Sequence, residues 1–169
     1  MMLIRHSEKA YDNKIGLDAE LTEYGHQLAY DKFVDLYFRY GIPTKIVTSP
    51  YLRTRLTAIE AQQAILDHTG KMVPIYTQPL LSEFLNSSKY GYNLATQLSS
   101  DTIRLKAYKP QNKKQFYERM RKFVNQAEDN VWYITHGFNI QVAAEVCGHD
   151  IRYPDYVGGC YLGDWVECF

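Results

Sequence analysis

Paired cysteines, a net charge and long apolar runs are all missing from this chain, and each absence removes a class of protein. Three cysteines, Cys147, Cys160 and Cys168, stand late in the sequence with no C-x-x-C spacing. An odd, unframed set of this kind excludes a disulfide-stapled secreted domain and a zinc knuckle. Lysine plus arginine equals aspartate plus glutamate at 19 each. No whole-molecule field therefore draws the chain to nucleic acid or to an anionic membrane, and neither partner is expected. The opening Met1-Met2-Leu3-Ile4-Arg5-His6 has no signal-peptide run, and no window approaches the roughly 18 apolar residues of a membrane span. The expectation is a soluble, cytoplasmic protein. Repeats and low-complexity tracts are lacking too, and nothing signals an oligomeric state. The 15 tyrosines come without a basic stripe, so they read as core and surface filler rather than base-stacking platforms.

What is present is one ordinary domain's worth of chain. Its 169 residues, 46% apolar and 22% charged, suffice for a core without staples. Residues 2–5 read as a short buried strand ending in Arg5-His6-Ser7-Glu8. Thr22 reads as a helix cap ahead of Ala29, Tyr30, Phe33, Val34 and Tyr37 at helical spacing, with Gly41 and Pro43 as the stop. Lys45–Thr48 is a second strand. Ser49-Pro50 then opens a helix, serine capping and proline in the first turn, whose apolar stripe is Leu52, Leu56, Ile59 and Leu66. Val73–Tyr76 is a third strand. Phe116, Met120, Phe123, Val124 and Ala127 mark a helix with a core-facing stripe, Val131–Thr135 an apolar strand, and Phe138–Val146 a helix after it. Residues 158–169 supply one or two closing strands. The alternation predicts an α/β fold: a three-layer arrangement with a mostly parallel central sheet and helices on both faces. Residues 1–169 form a single domain in this reading, with 84–111 as a short insertion covering the ligand.

Ligands of such sheets sit beyond the carboxyl ends of the strands. Arg5 and His6 follow the first strand, Ser49 and Arg53 the second, and His136 and Gly137 the late apolar one. Two guanidiniums and two imidazoles around one pocket suit a tetrahedral dianion, since arginine's forked donors match phosphate oxygens in pairs. The helix starts near Ser49 and Phe138 would add backbone N–H groups. A neutral imidazole can attack phosphorus itself, and phosphoryl transfer needs mainly positioning and charge stabilisation. No metal or other cofactor is expected: His26, His68 and His149 have no partners at ligand spacing. The leaving alkoxide needs a proton, for which Glu83 in Leu80-Leu81-Ser82-Glu83-Phe84 is the candidate and Glu8 the competitor.

Four blocks carry a resemblance. Leu3-Ile4-Arg5-His6-Ser7-Glu8 resembles an L-x-R-H-G-E signature. Leu21 to Ala29 resembles L-T-x-x-G-x-x-Q-A, with glutamine one place early. Ser49 to Ala58 is similar to S-P-L-x-R-A-x-Q-T-A, and Ile134-Thr135-His136-Gly137 to V-S-H-G. Blocks of this kind, in this order, mark the histidine phosphatase superfamily, whose members include the phosphoglycerate mutases. The resemblance runs from residue 3 to about 140. It implies a phosphoglycerate mutase-like fold, with His6 as the nucleophile that becomes phosphohistidine. It implies that Arg5, Arg53 and His136 clamp the phosphoryl group, and that Glu83 donates the proton. Ser7, Gly137 and Asn13 would line the substrate. Ser7 departs from the usual glycine, and Asn13 lies one position later than usual.

The function implied is a metal-independent phosphomonoester hydrolase of the histidine acid phosphatase type, acting on a phosphorylated small molecule or phosphoprotein. The chain is shorter than the mutases after Glu83 and at its end, which favours hydrolysis over re-transfer. The alternatives are a mutase-like phosphotransferase and a catalytically silent module that binds phosphate or a phosphoprotein. With His6, both arginines and His136 all present, loss of activity has no visible cause.

Overall fold

A strand can bury both faces only if helices cover both, and the short apolar runs of this chain are covered in that way. The structure, a computed structural model, describes residues 1–10, 18–86, 100–163 and 166–169. Asn13 lies outside the described residues. In chain order the elements are β1 (Met2–Arg5), α1 (Glu23–Tyr40), β2 (Lys45–Thr48), α2 (Leu52–Thr69), β3 (Ile75–Thr77), a 3-10 turn at Pro79–Leu81, α3 (Ser100–Arg104), α4 (Lys113–Val124), β4 (Val131–Thr135), α5 (Gly137–Val146), β5 (Gly159–Leu162) and β6 (Val166–Cys168). The described strands form one sheet in the order β3-β2-β4-β1-β5-β6. The first four run parallel, and β5 and β6 are antiparallel to their neighbours. This is the expected mostly parallel sheet.

Alternation along the strands sorts the core into two layers. Met2, Ile4, Ile46, Trp132 and Ile134 face α1 and α2, where Ala29, Phe33, Leu36, Ala58, Ala61 and Ile65 meet them. Leu3, Val47, Val131 and Tyr133 face α4 and α5, against Phe116, Met120, Phe123, Ile140 and Ala143. These few strand positions hold together both halves of the molecule.

Three local expectations are corrected. The stripe Leu52, Leu56, Ile59 and Leu66 is not the buried face of α2. Ile59 is exposed, and the buried residues are Arg53, Thr54, Thr57, Ala58, Ala61, Ala64 and Ile65. A face of small residues lets α2 lie close against α1, which larger leucines would prevent. Ser49 does not cap α2 either. The helix begins after Tyr51, which makes no side-chain cap, and the Leu52 N–H instead donates to Asp18 Oδ1 at 2.5 Å. The α2 amide thus occupied is not free for a ligand. Finally, β3 starts at Ile75 rather than Val73. Pro74 has no N–H for a ladder, although its carbonyl accepts from Ile46 at 2.9 Å.

The cap and the stop read for α1 hold. Thr22 caps α1 by accepting from the Gly25 N–H at 2.8 Å, and Gly41 ends the helix at φ 79°. Asn112 and Gln115 form a reciprocal capping box on α4. Asn86 bridges to Gln111, and the Gln111 N–H donates to the Leu85 carbonyl at 2.9 Å. Among the described residues, no helix is long and apolar enough to cross a membrane.

Candidate active site

The carboxyl ends of β1, β2 and β4 lie side by side in the sheet, so the residues that succeed each strand arrive at one edge. His6 comes directly after β1, Arg53 lies in the first turn of α2 after β2, and His136 comes directly after β4. Glu83 reaches the same place from the turn after β3. All but Glu83 are buried: Arg53 is 0%, His136 2% and His6 4% exposed.

Arg53 ties the cluster together. Its Nε donates to His6 Nε2 at 3.2 Å, and its Nη2 lies 2.7 Å from Glu83 Oε2 and 3.3 Å from His136 Nδ1. The other nitrogen of His6, Nδ1, lies 2.7 Å from the Ser7 carbonyl. A carbonyl only accepts, so the ring proton sits on Nδ1 and the Nε2 lone pair faces the guanidinium. The same logic applies to His136. Guanidinium only donates, so Nδ1 accepts and Nε2–H donates to Ser49 Oγ at 2.8 Å. The two rings meet edge to face, 5.4 Å apart. Burial holds the pKa of both histidines well below the ordinary 6.5, and the Arg53 charge lowers both further. Both rings are therefore neutral at pH 7.

The remaining expected residues stand apart from this cluster to differing degrees. Arg5 extends sideways: its Nη1 donates to the Pro154 carbonyl at 3.0 Å, and its guanidinium lies 4.1 Å from the Tyr156 ring centroid and 4.9 Å from that of Tyr153. Ser7 is fully buried and turned away, its hydroxyl donating to the Gly25 carbonyl at 2.6 Å. The extra hydroxyl anchors α1 and is not presented to a ligand. Gly137 opens α5, and a Cβ there would fall 2.3 Å from the Tyr153 ring, so glycine makes room for the tyrosine beside Arg5. Glu8 accepts from the Thr22 hydroxyl at 2.9 Å, a structural role at the start of α1.

Several side chains at the site carry no signal as site residues in the sequence. Ser49, read as a helix cap, instead orients His136. Tyr51 stands edge-on to His136 at 5.1 Å, with the Arg53 guanidinium 4.8 Å from its ring centroid. Tyr156 comes within 5.9 Å of the His6 ring. The tyrosines have no signal beyond their number, because only the fold brings residues 51 and 156 together. Among the described residues, no group of three or more histidine, cysteine or carboxylate side chains could hold a metal ion.

Arg53, two neutral imidazoles and the Glu83 carboxylate thus meet at one edge of the sheet. Solved structures share the architecture. A mycobacterial glucosyl-3-phosphoglycerate phosphatase superposes with a TM-score of 0.64 at 18% identity, over 95% of this chain and 87% of its own. A protein of Thermus thermophilus gives 0.64 at 21%, over 99% and 96%. A structure described as mycobacterial hydrolase 1 gives 0.66 at 17%, over 100% and 96%. No curated protein matches the sequence. Residues 1–152 match the family described as the histidine phosphatase superfamily (branch 1), and the chain belongs to that superfamily.

Proposed function

We propose that the protein is a metal-independent phosphomonoesterase that forms a phosphohistidine on His6 Nε2. Family membership supports phosphatase or mutase-like chemistry on phosphorylated substrates. The observation that carries the finer reading is the tethered, neutral His6 ring, whose Nε2 lone pair faces the Arg53 guanidinium at 3.2 Å.

In the first step the Nε2 lone pair forms a bond to phosphorus as the ester P–O bond breaks. The bonding pair stays on the leaving oxygen, which takes a proton from Glu83. The imidazolium so formed keeps its Nδ1–H on the Ser7 carbonyl, which offsets the positive charge. Arg53 stabilises the equatorial oxygens. A dianion in the pocket competes with Glu83 for Arg53, which releases the carboxyl toward the leaving oxygen. In the second step Glu83 takes a proton from water, whose oxygen bonds to phosphorus. The N–P bond breaks, phosphate leaves and His6 is neutral again. Glu83 is 29% exposed, so water can reach the group that must activate it, which favours hydrolysis over re-transfer.

Glu83→Gln tests the proton-donor assignment. An alkyl phosphate leaves as a basic alkoxide and needs the proton; a nitrophenyl phosphate leaves as a stable phenolate and hardly needs it. The variant is expected to slow alkyl ester hydrolysis by about 10²–10⁴-fold, and the nitrophenyl ester far less. Equal losses on both would assign Glu83 to binding instead.

A further inference from the structure

Glu83 follows a stretch of backbone gripped by buried side chains from three separate elements. Thr135 Oγ1, on β4, donates to the Leu81 carbonyl at 2.9 Å. Asn139 Nδ2, on α5, donates to the Leu81 carbonyl at 3.0 Å and to the Ser82 carbonyl at 2.9 Å. Arg119 Nη1, on α4, donates to the Ser82 carbonyl at 2.8 Å. The Ser82 hydroxyl adds a fourth tie, donating to the Pro79 carbonyl at 2.7 Å and accepting from the Tyr108 N–H at 3.0 Å. A connection that merely leads out of β3 needs no such grip.

Arg119 is the costly member of this set. It is 4% exposed, with its guanidinium 4.8 Å from the ring centroids of both Tyr108 and Phe116. Its Nε and Nη2 are buried without a hydrogen-bond partner. Burial pulls its pKa down to about 10, so the group is still charged at neutral pH. A methionine or leucine would fill the same volume without the desolvation cost. The one strong bond the guanidinium makes is to the carbonyl immediately before Glu83, and the need for that bond explains a charge in so unfavourable a place.

We infer that Arg119 is a positioning residue for the Glu83 carboxyl. It fixes the Ser82 carbonyl, and with it the direction from which the acid meets the leaving oxygen. The inference rests on the reading of Glu83 as proton donor. A displacement of about 1 Å in such a group can cost about a hundredfold in rate.

The test compares Arg119→Met and Arg119→Lys with Glu83→Gln, on an alkyl and a nitrophenyl phosphate. Arg119→Met is expected to lower kcat on the alkyl ester about tenfold or more beyond its loss on the nitrophenyl ester, with KM little changed. Arg119→Lys is expected to recover part of that difference, because an ammonium can still donate to the Ser82 carbonyl. Equal losses on both esters, or no loss, would overturn the inference. If Arg119→Met does not fold, Arg119→Lys decides: a milder loss confined to the alkyl ester supports positioning, and any other pattern overturns it. Glu83→Gln separates the two claims. If it shows the leaving-group signature and the Arg119 variants do not, only the positioning role fails; if it lacks the signature, the proton-donor reading fails first.

Discussion

At the scale of single residues, the chemistry turns on where one proton sits. The Ser7 carbonyl holds the His6 proton on Nδ1, and burial together with Arg53 keeps the ring from taking a second one. A histidine with a lowered pKa is neutral above that lowered value, so its lone pair survives into acidic solution. The acid limb of kcat/KM, after the substrate's own titration is removed, is therefore expected to lie well below pH 6.5. A limb at or above 6.5 would mean that the free enzyme's His6 is not held neutral as described. His6, Arg53 and His136 are legible in the sequence because each comes after a strand within a recognisable block. Arg119 and Tyr156 are not, since nothing local separates a guanidinium that grips a carbonyl, or a ring beside a histidine, from ordinary filler.

At the scale of elements, legibility depends on how local the cause is. β1, β2 and β4 can be placed from the sequence because short apolar runs between polar residues have few other fates. The helix cap at Thr22 and the stop at Gly41 are likewise contained within a few residues. The buried face of α2 is misleading in the sequence because leucine outweighs alanine and threonine in any apolar count, whereas close packing against α1 favours the smaller side chains. Its cap cannot be read at all, because Asp18 lies 34 residues from Leu52 in the chain. Asp18 is buried and also accepts from the Thr102 hydroxyl, so it joins the start of α2 to α3. Asp18→Ala is expected to cost about 0.5–2 kcal/mol for the lost cap alone. Urea unfolding checks this, and an unchanged midpoint would show that the cap contributes nothing. Because Arg53 lies in the first turn of α2, the same variant should weaken inhibition by inorganic phosphate.

At the scale of the whole molecule, the buried Arg53 guanidinium is paired with the Glu83 carboxylate at one sheet edge. The six-stranded sheet makes the cluster possible by setting β1, β2 and β4 side by side, so that residues 6, 53 and 136 meet. The central claim is covalent: the phosphoryl group rests on His6 between the two steps. Its most direct measurement is rapid quenching of turnover into alkali, digestion, and mass spectrometry of the peptide that contains His6. We predict a base-stable, acid-labile phosphoryl group on that peptide, absent in His6→Asn, with kcat of the variant lower by several orders of magnitude. An unlabelled His6 peptide, together with a His6→Asn variant whose kcat stays within about tenfold of the native protein, would contradict the account.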